Sequence, residues 1–194
     1  MPIPDFGNDG LLPPGRRFDE WQGTPIHWGH PCTFAEVEKR FDEDVVHSLT
    51  RPALVNEIGR ILDFAKGHVD CFVLFISGAL VTSGVDPRSA FIVLQVTGTE
   101  FEQLDRAERW FIQRFFGDLE YSWGESDELI MQTGLAITYP EGHHKHQESK
   151  TSAMIHRSIA GEPIPSEGAH GYLEILECDE GVDEIDTVTT APAS

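Results

Sequence analysis

Apolar residues are densest between Cys71 and Val96. Two runs rich in Val, Ile and Phe, Cys71 to Ile76 and Ala90 to Val96, flank a turn-rich segment that holds Gly78, Gly84 and Asp86-Pro87. Neither run alternates, which is how strands buried on both faces read. They are expected as the central pair of a sheet, with residues 77–89 forming a loop or short helix able to carry chemistry. Upstream, Thr33 and Glu36 make a T-x-x-E capping box with Cys32 and Val37 placed as a hydrophobic staple, and Phe34, Val37 and Phe41 share one helix face. Thr50 is a second candidate N-cap with Pro52 in the first turn. Leu54, Ile58, Ile61, Leu62 and Ala65 then recur at helical spacing until Gly67. Thr99 and Glu102 repeat the capping box ahead of Phe101, Leu104, Ala107, Phe111 and Phe115, an apolar stripe expected to face the core and to end at Gly117.

Leu129 to Tyr139 reads as a third strand, with a bulge or close approach at Gly134. Residues 149–159 read as one more helix and Tyr172 to Glu177 as a last short strand. Residues 16–28 have no period and read as a long loop. Residues 1–15, rich in Pro and Gly, are expected to lie extended over the domain, so that 1–32 forms an extended N-terminal segment. Strands separated by helical patterns predict an α/β or α+β domain over residues 1–177, a mixed sheet flanked by helices. Beyond it, residues 178–194 predict a disordered acidic tail.

Charge narrows the function classes. The 194 residues carry a formal net charge of −19, and the last 17 hold five acids and no base, so most of the excess lies upstream of the tail. So negative a surface repels phosphates, which excludes ordinary nucleic-acid binding. It leaves solubility, a halophilic or phage origin, a basic partner or mimicry of DNA. The chain has no apolar run of about 18 residues and no basic-then-apolar start, so neither a membrane span nor a leader is expected, and a cytoplasmic location is. Cys32, Cys71 and Cys178 form no paired framework and no CxxC, which fits a reducing compartment and argues against disulfides or a zinc ribbon. His27, His30 and Cys32 lack a second cluster that would complete a metal site. His143, His144 and His146 are weak metal candidates, because they adjoin Pro140 and Gly142 in a polar loop that reads as an exposed basic turn. Arg106, Arg109 and Arg114 read as the solvated face of their helix.

A family resemblance rests on Pro4-Asp5-Phe6 to Leu11-Leu12-Pro13-Pro14-Gly15, on His30-Pro31-Cys32-Thr33-Phe34-Ala35-Glu36-Val37 to Arg40-Phe41, on the helix from Arg51, and on the Gly78 to Leu94 segment. In that order these resemble an uncharacterised prokaryotic and phage domain family with a nucleotidyltransferase-like fold, related to minimal nucleotidyltransferases and to abortive-infection transferase toxins. The resemblance covers roughly residues 3–96, with weaker support from 171–177, and is interrupted by residues 16–28. It implies a Gly-Ser dipeptide after the first strand to hold nucleotide phosphates. It also implies two aspartates two residues apart on the next strand, to bind a pair of divalent ions. Here Ala79 stands where the serine belongs, and Ser89 and Phe91 stand where the aspartates belong, so Gly78, Ala79, Ser89 and Phe91 make a degenerate site. Ser77, Gly78 and Thr82 remain weak candidates for contact with a nucleotide, and Asp86 joins the site only by a register slip.

The sequence therefore predicts a pseudo-nucleotidyltransferase with no cofactor. It would act as a protein-binding or regulatory module in phage–host conflict or toxin neutralisation, with a basic protein partner or by self-association. The alternatives are an active transferase with displaced acids, a nucleotide sensor without turnover, and a structural or oligomeric phage protein.

Overall fold

A computed structural model describes residues 3–8, 10–13, 15–18, 25–45, 47–117, 119–124, 128–138 and 172–178. In chain order the elements are β1 (Gly15–Phe18), β2 (Pro25–Trp28), β3 (His30–Pro31), α1 (Phe34–Glu38) continued by a π-helical turn (Lys39–Glu43), α2 (Arg51–Lys66) and β4 (Cys71–Ser77). A 3-10 turn (Ala79–Val81) follows, then β5 (Ser89–Thr97), α3 (Gly98–Gln103), α4 (Arg106–Phe116), β6 (Glu120–Trp123), β7 (Leu129–Thr138) and β8 (Leu173–Cys178). The main sheet runs β3-β8-β4-β5-β7-β6, with β3·β8 and β5·β7 parallel and the other pairs antiparallel. It is a mixed α+β fold, and the two apolar runs sit at its centre as expected.

The side-chain period of two divides every strand between two faces. Leu74 and Ile76 of β4, Ala90, Ile92 and Leu94 of β5, Met131 and Leu135 of β7, and Leu173 and Ile175 of β8 pack with Val37 and Phe41, with Leu54, Ile58, Ile61 and Leu62 of α2, and with Ile112 and Phe116 of α4 in one core. On the opposite face, among the described residues, Phe75, Val93, Ala136 and Tyr172 form a small buried cluster, with Val73 half-buried beside it. The central strands are thus heavily buried on one face and partly on the other, rather than equally on both.

Several local expectations need correction. The first capping box forms: Glu36 N–H donates to Thr33 Oγ1 and Thr33 N–H to Glu36 Oε2, while Cys32 and Val37 are both buried as a staple requires. The backbone bond from Thr33 holds the Glu36 carboxyl below its ordinary pKa. Thr50, by contrast, makes no side-chain cap; Ser48 Oγ takes the Arg51 N–H at 3.0 Å instead. The predicted Thr99/Glu102 box does not form. Thr97 caps α3 by accepting from Glu100 N–H, and the chain then turns extended at Leu104. Asp105 accepts from both Ala107 and Glu108 N–H, at 2.6 and 2.8 Å, and begins a separate helix with its own capping box.

That break rotates the stripe, so Ile112 and Phe116 face the core while Ala107 and Phe111 turn outward. The supposed loop over residues 16–28 contains a hairpin, β1 pairing with β2 from Gly15 opposite Trp28 to Phe18 opposite Pro25. β7 passes through Gly134 without a bulge, because that glycine pairs in register with Val93. The reading over 149–159, the histidine loop with His143, His144 and His146, and the tail beyond Cys178 lie outside the described residues.

The expectation of no disulfide is overturned. Cys71 and Cys178 stand directly opposite each other on the antiparallel strands β4 and β8, with Cα atoms 4.1 Å apart, and form a disulfide. Linear spacing hid the pair, since 107 positions separate them. Cys32 stays free and buried; desolvation, with Glu36 nearby, pushes its thiol from 9.0 up to about 12. Among the described residues no helix is long and apolar enough to cross a membrane.

Candidate functional site

The sheet brings Gly78, Ala79, Ser89 and Phe91, the four residues on which the resemblance places a degenerate site, together at one end of β4 and β5. Ser77, the last residue of β4, pairs with Phe91, and Gly78 follows with φ of +88°. That backbone conformation favours glycine. A Cβ built on Gly78 would come within 2.9 Å of Phe91 Cδ2 and 3.2 Å of Phe91 N, so the phenylalanine ring lies directly on the glycine. Ala79 opens the 3-10 turn, and Ser89 sits two residues before Phe91 on the same face of β5.

The turn after Gly78 is fastened from three directions. Thr82 Oγ1 donates to Ala79 O at 2.7 Å and accepts from Gly84 N–H. The N–H groups of Val81, Thr82 and Ser83 are taken by Gly78 O, Ala79 O and Gly10 O. A phosphate-cradling loop needs such donors free and pointing at the ligand, and these four are already satisfied. From below, Arg51 reaches up out of α2 with only 1% of its surface exposed. Its guanidinium donates to Leu80 O at 2.8 Å, Thr82 O at 2.6 Å and Gly84 O at 2.5 Å, and lies 5.6 Å above the Phe41 ring. Burial, and then the neighbouring Arg40, lower its pKa, against which Asp86 acts. From the N-terminal side, Leu11 bridges to Thr82.

Asp86, the one acid between Ser77 and Val96, accepts from Leu49 N–H at 2.7 Å and Ser48 Oγ at 3.2 Å. Its carboxylate thus ties the entry of α2 to the loop. Across the sheet, Gln132 of β7 pairs with Phe91 and Glu120 of β6 pairs with Gln132, whose Nε2 donates to Glu120 Oε2. One row therefore runs Glu120, Gln132, Phe91, Ser77 over four strands. A pair of divalent ions asks for clustered carboxylates. The row offers an aromatic ring, a carboxamide and a hydroxyl, with a single carboxylate already engaged at its far edge, so these residues do not fit the ions that the family resemblance implies.

Two features of this region were missed in the sequence. Gln132 did carry a signal, a polar residue inside the apolar run of Leu129 to Ile137. Arg51 carried none, since its three acceptors lie 29 to 33 positions away. Compared with known proteins, the chain matches no family model, no curated protein and no solved structure.

Proposed function

We propose that this chain is a non-catalytic binding or regulatory protein on a nucleotidyltransferase-like sheet, engaging another protein through the closed cleft or an outer face. The observation that carries this reading is the Phe91 ring seated on Gly78, where the resemblance calls for a phosphate and an aspartate. The engaged N–H groups of residues 81–84 and the fastening by Arg51 support it. The net charge of −19 gives the partner its chemistry: a basic protein, met quickly and released by salt. By resemblance the setting is phage–host conflict or toxin neutralisation.

The test has two arms. Incubation with labelled nucleoside triphosphates, Mg²⁺ or Mn²⁺ and host RNA is expected to give no label transfer, and ATP or GTP no thermal shift. Label transfer that disappears in Asp86→Ala would overturn the reading in favour of an active transferase. In the second arm a low-salt pull-down from host lysate is expected to capture a basic protein that high salt releases; capture of nothing, not even a second copy, counts against a binding role. Alkylation at the moment of lysis checks the location, because a reducing cytoplasm would hold Cys71 and Cys178 as thiols.

A further inference from the structure

Helix α4 carries a face that the core does not use. Arg106, Ala107, Trp110, Phe111 and Arg114 recur at positions i, i+1, i+4, i+5 and i+8, one stripe along the helix. Trp110 is 58% and Phe111 48% exposed, in edge-to-face contact at 5.1 Å, and together with Arg106 and Ala107 they line a shallow depression of about 390 Å³. No carboxylate among the described residues forms an ion pair with Arg106, Arg109 or Arg114. In a chain of net charge −19, a helix that carries Arg106, Arg109 and Arg114, none ion-paired among the described residues, beside two exposed aromatic rings stands apart from the acidic excess.

The chain beyond β8 starts close to that face. Glu177 is ion-paired to Lys66 at the end of α2 at 2.9 Å, and Cys178 is bonded to Cys71. Two residues past Lys66, His68 lies against Phe64 and Phe111, with ring centroids 4.5 and 6.3 Å away. A short chain of contacts thus joins the start of the tail to the aromatic stripe. The next ten residues, Asp179 to Val188, can reach about 35 Å when extended, which is ample. Their sequence complements the face: Val182, Ile185 and Val188 recur every third position, among Asp179, Glu180, Asp183, Glu184 and Asp186.

We infer that residues 179–188 dock in cis on the Arg106–Trp110–Phe111–Arg114 stripe of α4, the three aliphatic side chains covering the rings and the five carboxylates meeting the arginines. The tail then acts as an internal occupant of this cationic aromatic face, and it leaves when a partner or salt competes. This docking does not depend on the proposed loss of catalysis.

Trp110 reports it in the full-length protein. Its emission and acrylamide quenching are obtained by subtracting the Trp110→Phe variant from the wild type. Docking predicts that Val182→Ser/Ile185→Ser/Val188→Ser, and separately Asp183→Asn/Glu184→Gln/Asp186→Asn, shift the Trp110 emission to the red and raise its quenching about twofold, as the indole gains solvent. Sodium chloride at about 0.5 M, which screens the carboxylate–arginine pairs, should do the same in the wild type and change little in either variant. Unchanged far-ultraviolet circular dichroism and urea midpoints in both variants separate undocking from loss of fold. Identical Trp110 quenching in the wild type and both variants would overturn the docking. So would protection that vanishes on dilution while light scattering reports a dimer, which would assign the face to a second copy of the chain.

Discussion

The two faces of the central sheet use the same strands for different ends. Toward the helices, β4 presents Phe72, Leu74 and Ile76 and β5 presents Ala90, Ile92, Leu94 and Val96, all buried in the main core. Away from them the same strands present Cys71, Val73, Phe75 and Ser77, and Ser89, Phe91, Val93 and Gln95, of which only Phe75 and Val93 are buried. The difference teaches that packing alone dictates the first set, where any polar residue would need a built-in partner, as Thr133 has in Phe115 O at 2.7 Å. The second face is free to hold chemistry. Here it holds a phenylalanine on a glycine, a disulfide at one end and a carboxamide–carboxylate pair at the other.

The sharpest way to break that contrast is to truncate leucine on each face. Leu74 is fully buried and Leu176, on the neighbouring strand but the opposite face, is 68% exposed. Leu74→Ala should destabilise by about 3 kcal/mol through lost burial and the cavity left behind. Leu176→Ala should stay within about 0.5 kcal/mol. Equal losses in urea titrations would show that the second face is as tightly covered as the first.

A smaller effect sharpens the comparison at the candidate site. Gly78→Ala adds a Cβ at positive φ, 2.9 Å from the Phe91 ring, and should destabilise by about 2 kcal/mol. Adding Phe91→Ala removes the ring but not the backbone contact at 3.2 Å, so about 1 kcal/mol of coupling is expected in a double-mutant cycle. Strict additivity would mean that ring and glycine do not share the space.

The smallest effect at neutral pH belongs to Cys32, under the helix-side core. Its thiol ionises near 9.0 when unfolded and at about 12 when folded, so the unfolded chain loses its proton first. Stability linked to Cys32 is therefore intact below pH 9 and declines between pH 9 and about 12. Comparison of denaturation midpoints for wild type and Cys32→Ala across that range checks the sign. Iodoacetamide at pH 8 should leave native Cys32 unmodified, and rapid labelling would refute the burial that raises its pKa.

What could be read in advance follows from how far each interaction reaches along the chain. The first capping box, the helix of Leu54 to Ala65 and the central strands are local facts, fixed by neighbours within a few positions. The break at Asp105 is also local, since this aspartate accepts two N–H groups and opens a helix of its own, while Thr97 rather than Thr99 caps the helix before it. Nothing local marked Cys71 as the partner of Cys178, or Arg51 as the anchor of residues 80–84. Nor did anything local show that Phe91 would rest on Gly78 and face Gln132. Those were decided only when the sheet set its register, because register places side chains opposite one another without regard to their separation in the sequence.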